Sequence, residues 1–281
     1  NYDTTVFDVV GANSESTITL KAMKATTAAV TVKATFESTN YMGNASIAVN
    51  VNKATPVAGN FMFTAPTVLV YDGSNKMATV TEKSGIAGMG TVTVKYFKDG
   101  SLTTETKAVG TYVVKVDVAA GTNYAAISDL TADEWTFTVT RANASVTAAP
   151  AAAGSLGYDG SAKNLITAGT CTGGMMNYRL GDSGAWSAAI PQATNAGTYT
   201  VWYKVVGDGN HNDTAAASVT VIIARQSITP SVTVSGSYTY NNGNPIIPTV
   251  EVKMAEQRLP PERITICWSV TIPTPVPVRS R

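Results

Sequence analysis

Apolar and polar residues alternate in short runs along most of this chain, and the runs end at Gly, Asn or Asp. Thr91-Val92-Thr93-Val94-Lys95-Tyr96-Phe97 alternates and closes on Lys98-Asp99-Gly100. Tyr112-Val113-Val114-Lys115-Val116-Asp117-Val118 follows Gly110 in the same manner. Period-two spacing puts every second side chain on one face of a strand, and Asp-Gly supplies the positive-φ position a tight β turn needs. No stretch keeps a helical period over three turns. The pattern predicts an all-β fold.

The pattern also repeats. Tyr71-Asp72-Gly73 returns as Tyr158-Asp159-Gly160, and Gly110-Thr111-Tyr112 as Gly197-Thr198-Tyr199, both at an interval of 87 residues. Such a register is that of one small domain copied in tandem. Residues 54–141 read as one full unit, with runs at 61–63, 68–71, 77–81, 91–97, 112–118 and 135–139. Residues 142–225 read as the next, with runs at 145–147, 198–206 and 218–223. Residues 1–53 read as the C-terminal part of a preceding unit, with strands over 29–36 and 47–51 joined through Asn40-Tyr41. That pair returns as Asn123-Tyr124. Residues 226–281 read as an incomplete unit that starts again at Ser237-Tyr238-Thr239-Tyr240-Asn241-Asn242-Gly243 and turns into a Pro- and Arg-rich tail from about Met254.

A frameshift near Met254 is a hypothesis for that break. The tail around Thr271–Thr274 can encode, in another frame, residues similar to Asn195-Ala196-Gly197-Thr198-Tyr199. A coding sequence whose other frames lack that motif would sink it. About seven short strands per unit, with turns every 8 to 12 residues, predict tandem immunoglobulin-like β-sandwiches. The junctions at Val51–Pro56 and Thr140–Asn143 have no Gly/Ser-rich or Pro-rich tether, which predicts an end-to-end arrangement with limited freedom.

Composition narrows the class. Charged residues are 14% of the chain, against roughly 25% in a typical soluble domain, so Thr, Ser, Asn and Gly must supply most of the surface. That suits a secreted or surface protein. Net charge is +1 with both signs interspersed, which leaves no basic stripe for nucleic acid. No apolar run reaches the 18 or so residues of a membrane helix. The N-terminus shows no leader, so any signal peptide is expected to be removed or to lie outside this stretch. Two cysteines, Cys171 and Cys267, are too few for a disulfide framework and read as free thiols.

The Tyr-Asp-Gly turn, the Ala196-Gly197-Thr198-Tyr199 strand entry and the Asn-Tyr loop together resemble bacterial Ig-like repeats of the YDG and MBG type. The resemblance covers nearly all of residues 1–253. It implies an extracellular or cell-surface bacterial setting and a non-catalytic stalk, spacer or adhesive array, with no catalytic residue or cofactor to carry over. The third start departs from it, with Asn241-Asn242-Gly243 in place of Asp-Gly. Tyr112 and Tyr199 fall where a tyrosine corner sits in Ig-type sandwiches. Tyr71 and Tyr158 read as turn-packing residues, with Asp72-Gly73 and Asp159-Gly160 as turn chemistry.

Candidate chemistry is thin. The sole histidine, His211, sits in the loop Gly207–Asp213 and reads as a surface loop residue. The same loop offers oxygen ligands at Asp208, Asn210, Asn212 and Asp213, which suit a hard cation such as Ca²⁺, without the closing Glu of an EF-hand. Trp186, Trp202 and Tyr203, with Tyr178 nearby, offer a sugar-stacking platform, although Trp202 and Tyr203 must point to opposite faces of a strand. Strand lysines Lys95, Lys115 and Lys204 admit a lysine isopeptide bond. The expected partners are a cell-surface glycan or protein and the neighbouring repeats. The alternative to a stalk is a carbohydrate- or protein-binding module of a surface assembly.

Overall fold

The computed structural model describes residues 3–14, 17–236 and 249–253. Within them the chain is all-β: strands follow one another from end to end, and the helical content is one 3₁₀ turn at Ala58–Asn60. The first strands pair as two hairpins, β1 (Phe7–Ser14) with β2 (Thr17–Ala22), and β3 (Val30–Glu37) with β4 (Met42–Val49). Register shifts at Val9/Gly11 and Ala12/Ser14 break the period of β1, which hides this hairpin from a pattern reading. β4 starts earlier than the expected Ile47, because the Ser38 N–H donates to the Tyr41 carbonyl at 2.7 Å and pairing begins at once beyond that turn.

Residues 54–141 contribute β5 (Phe61–Thr64), β6 (Thr79–Glu82), β7 (Val92–Lys98), β8 (Ser101–Thr103), β9 (Gly110–Val118), β10 (Ile127–Leu130) and β11 (Thr136–Val139). β5 and β6 form a ribbon, and a sheet runs β10-β9-β7-β8 with β11 added on β9. A first core lies between ribbon and sheet. β9 shows why it forms. Tyr112, Val114, Val116 and Val118 are all at most 2% exposed, while Val113, Lys115 and Asp117 occupy the other face. Trp135 meets Phe61 edge-on at 6.0 Å and stacks on Phe63 at 6.2 Å, so three rings close one end of this core. Asp99 and Gly100 take φ of 52° and 77°, the primed turn that matches the twist of β7 and β8. The expected strand at 68–71 is only a parallel bridge, Val70 opposite Thr140.

Residues 142–225 contribute β12 (Ala142–Asn143), β13 (Ser145–Ala148), β14 (Leu156–Gly157), β15 (Lys163–Asn164), β16 (Thr170–Thr172), β17 (Gly174–Leu180), β18 (Gln192–Ala193), β19 (Gly197–Gly207), β20 (His211–Asn212) and β21 (Ala217–Ala224). The sheet order is β14-β21-β19-β17, and β13 pairs β16. A second core gathers Leu165, Met176, Tyr178, Val201, Val205, Val221 and Ile223. The alternation marks no strand over β17, where Met175-Met176-Asn177 carries little β-branched character. β14 runs parallel to β21, with Leu156 opposite Ile223, as Val70 runs parallel to Thr140. β22 (Ser231–Ser235) and β23 (Thr249–Lys253) pair antiparallel. The expected start at 237–243, the tail from 254 and Cys267 lie outside the described residues, and Cys171 is a free thiol. Among the described residues no helix is long and apolar enough to cross a membrane.

Candidate functional site

The Tyr-Asp-Gly turns are more than turns. Gly73 and Gly160 take φ of 80° and 82°, which only Gly adopts without strain. The preceding carboxylate then collects two donors. Asp72 accepts from the Ser74 N–H at 2.8 Å and from Lys76 Nζ at 2.6 Å. Asp159 likewise accepts from the Ser161 N–H at 2.9 Å and from Lys163 Nζ. Lys76 is 5% exposed, and its carbonyl accepts from the buried Thr106 hydroxyl at 2.6 Å. Both carboxyls are held below the usual carboxylate range, first by the lysine ammonium and then by the Ser N–H. Ser74 and Lys76 return as Ser161 and Lys163 at the same interval of 87. Reading the motif as a tripeptide missed them; extending the comparison by three residues finds them. The Tyr71 and Tyr158 N–H groups donate to the Thr140 and Ala224 carbonyls, each at 2.9 Å, tying the turn to the last strand.

Tyr112 and Tyr199 stand at the starts of β9 and β19. The Tyr112 hydroxyl donates to the Ala108 carbonyl at 2.8 Å, and the Tyr199 hydroxyl to the Asn195 carbonyl at 2.7 Å, each four residues upstream. The Tyr112 ring is fully buried and stacks on Phe137, with centroids 5.2 Å apart and planes 16° from parallel. Burial pushes the Tyr112 phenol up. Two further tyrosines bond across their cores: Tyr96 to both the N–H and the carbonyl of Ala78, and Tyr178 to the Gly169 N–H.

The aromatic platform divides as strand geometry demands. Tyr203 packs on the second core. Trp202 lies on the other face opposite Arg179, its cross-strand partner. The Arg179 guanidinium sits 4.9 Å from the Trp186 ring and 5.6 Å from the Trp202 ring, so it bridges the two indoles by cation–π contact. Lys204 Nζ lies 5.3 Å from the same Trp186 ring, and Trp202 Nε1 donates to Asp182 at 2.8 Å. Trp186 and Trp202 are therefore brought together, while Tyr203 is not with them. Cations lie against both indoles. Sequence spacing could not place Arg179 here, since the pairing of β17 with β19 does so. Residues 54–141 carry only a Lys115–Phe97 contact on the matching face, at 4.4 Å.

The Asp/Asn loop does not converge on a cation position. Asp208 accepts from the Asn210 N–H at 2.8 Å and bonds His211 Nδ1 at 2.7 Å. Asp213 accepts from Lys204 Nζ at 2.7 Å and from the Gly207 N–H at 2.9 Å. Asn210 Oδ1 accepts from the Val109 N–H at 3.0 Å, and Asn212 Nδ2 donates to Asn143 Oδ1 at 3.1 Å. Each side chain is engaged with a different part of the protein. The two carboxyls are held below the usual range, Asp208 by the His211 ring and Asp213 by Lys204. Among the described residues no group of three or more His, Cys, Asp or Glu is arranged to hold a metal. His211 corrects the expectation of a surface loop residue. It belongs to β20, pairs parallel with Ala142, and meets the Tyr71 ring edge-on at 5.2 Å.

Comparison with protein-family models, with characterised proteins and with solved structures returned no match.

Proposed function

We propose that this chain is a non-catalytic structural region of a bacterial cell-surface or secreted protein, in which immunoglobulin-like sandwiches stand end to end as a stalk or spacer. One observation carries the reading. What recurs between residues 54–141 and 142–225 is construction: the Asp–Lys turn clasp, the tyrosine corner bond and the parallel tie of the turn to the last strand. What differs is the surface chemistry, namely the Trp–Arg–Trp contact and the carboxylates Asp208 and Asp213, which stand where Gly121 and Ala126 lie 87 residues earlier. The sandwich reading is supported by a ribbon laid over a larger sheet, with that parallel tie adding to the edge of the larger sheet in both parts. The surface setting is supported by the low charge, and the YDG/MBG kinship by the turn and corner motifs. Small-angle X-ray scattering tests the array. A spacer gives the skewed distance distribution of a rod. A symmetric distribution with a radius of gyration near ~19 Å, expected of one compact body of this length, would refute it.

A second reading, a carbohydrate-binding module, is favoured by the outward Trp186 and Trp202. Binding on a glycan array that disappears in Trp186→Ala would move the assignment there; no binding by the parent chain removes it.

A further inference from the structure

The contacts between successive parts of this chain are built twice with the same atoms. The linker residue Ala54 lies beside Tyr124 as a parallel bridge: its N–H donates to the Asn123 carbonyl at 2.9 Å, and its carbonyl accepts from the Ala125 N–H at 2.8 Å. Ala142, in the next linker, pairs parallel with His211, and its N–H donates to the Asn210 carbonyl at 3.0 Å. The side chain of the same asparagine then reaches back past the linker. Asn123 Oδ1 accepts from the Ala25 N–H at 3.0 Å, and Asn210 Oδ1 from the Val109 N–H at 3.0 Å. Asn123 and Asn210 are 87 residues apart, and Ala25 and Val109 are 84 apart. Both donors precede a residue paired near the end of their own part: the Thr26 N–H donates to the Val51 carbonyl at 2.9 Å just beyond β4, and Gly110 pairs with Val139 at the end of β11.

Supporting glycines recur too. Gly88 and Gly173 take φ of 77° and 78° beneath these loops. A Cβ on Gly88 would strike the Thr122 and Asn123 side chains, and one on Gly173 would strike the His211 ring. A side chain at either place would lift the asparagine loop off its neighbour.

We infer that Asn123 and Asn210 are pins of a stiff joint, which couples each core to the part of the chain before it and fixes their relative orientation. A short linker alone limits reach but leaves φ and ψ free at each residue. Here the linker backbone is hydrogen-bonded as a strand to the part that follows it, and the carboxamide of the same loop bonds the part that precedes it. Attachment to both sides of the linker restricts bend and twist at the joint. The inference concerns coupling between neighbouring parts and applies to a spacer and a binding module alike.

The test uses the full chain with Cys171→Ser and Cys267→Ser. Spin labels go on Thr79→Cys and Thr220→Cys, both at exposed strand positions, and pulsed dipolar spectroscopy reads the distance distribution. The parent is expected to show one narrow population. Asn210→Leu should at least double its width without lowering the melting temperature of either core. Asn210→Asp keeps the acceptor oxygen and should stay narrow. A broad parent distribution, or an Asn210→Leu variant as narrow as the parent, overturns the inference. Should Asn210→Leu fail to fold, the Asn123 joint repeats the test with labels at Thr35 and Thr79. The Val109 amide gives a check that needs no joint variant: hydrogen exchange as fast as an unstructured peptide would overturn the pin directly.

Discussion

Replacing Tyr112 by Phe isolates one oxygen. The ring, fully buried and stacked on Phe137, keeps its packing; the hydroxyl that donates to the Ala108 carbonyl at 2.8 Å is lost. A single neutral hydrogen bond contributes about 1 kcal/mol net. Ala108 is only half-buried, so water can partly replace the donor and the larger penalty of a sealed carbonyl does not apply. Tyr112→Phe should therefore cost about 1 kcal/mol, against roughly 3–5 kcal/mol for Tyr112→Ala, which also empties the core. For a core of this size, 1 kcal/mol corresponds to a fall in melting temperature of roughly 4–8 °C. Hydrogen exchange with mass spectrometry on the intact chain localises it: peptides of β9 and β11 should exchange about 5-fold faster, and peptides of β19 and β21 unchanged. Tyr199→Phe is the internal control. Its ring is only half-buried, so its loss should stay near 0.5 kcal/mol. A Tyr112→Phe variant indistinguishable from the parent, or a Tyr199→Phe variant that costs more, would refute the argument from burial.

Two further outcomes follow from the charges. Asp72, Asp159 and Asp117 all have folded-state values depressed by lysines, so their stabilisation is present above the unfolded carboxyl value of about 3.9 and is lost as pH falls through the depressed values. The melting temperature should stay level from about pH 7 to pH 5 and drop below about pH 4, with a smaller drop in an Asp72→Asn/Asp159→Asn double variant; an unchanged drop contradicts the clasp. Lys95 bonds Asp117 at 2.8 Å and also Asp129. The lysine is held protonated and Asp117 ionised by this pairing, and an ammonium facing a carboxylate does not condense to an amide. Intact-mass spectrometry should show the sequence mass; a deficit of about 18 Da, one water, would overturn this.

Long runs were legible in the sequence, since one buried face forces alternation. β7, β9, β19 and β21 all carry it, and all lie within two residues of where the pattern puts them. β5, β6, β11 and β13 also fall on expected runs, but β8, β10, β14, β15 and β18 were not legible, because a partner strand places them and their own residues hold no full period. The corner tyrosines could be located from Gly-Thr-Tyr, but the clasp lysines needed the interval of 87 applied beyond the tripeptide. Asn210 was hidden differently: the second loop reads Asn-His where the first reads Asn-Tyr, so matching letters missed what counting residues finds. The oxygen-rich loop looked like a cation site because sequence lists ligands without direction. The fold turns those side chains toward Val109, Asn143, Lys204 and His211.

The parallel tie between the entry turn and the final strand has a mechanical meaning. In a parallel pair, the N-terminal end of one strand and the C-terminal end of the other lie at opposite ends of the ladder. Tension applied through residues 54–141 therefore slides Leu69–Tyr71 lengthwise against Thr140, loading the Tyr71–Thr140 and Thr140–Leu69 hydrogen bonds together at 2.9 and 2.7 Å. Leu156–Tyr158 against Ile223 and Ala224 repeats the arrangement. Shear breaks such bonds all at once, where peeling would take them one by one. A chain hauled from its two ends meets its resistance at these clamps.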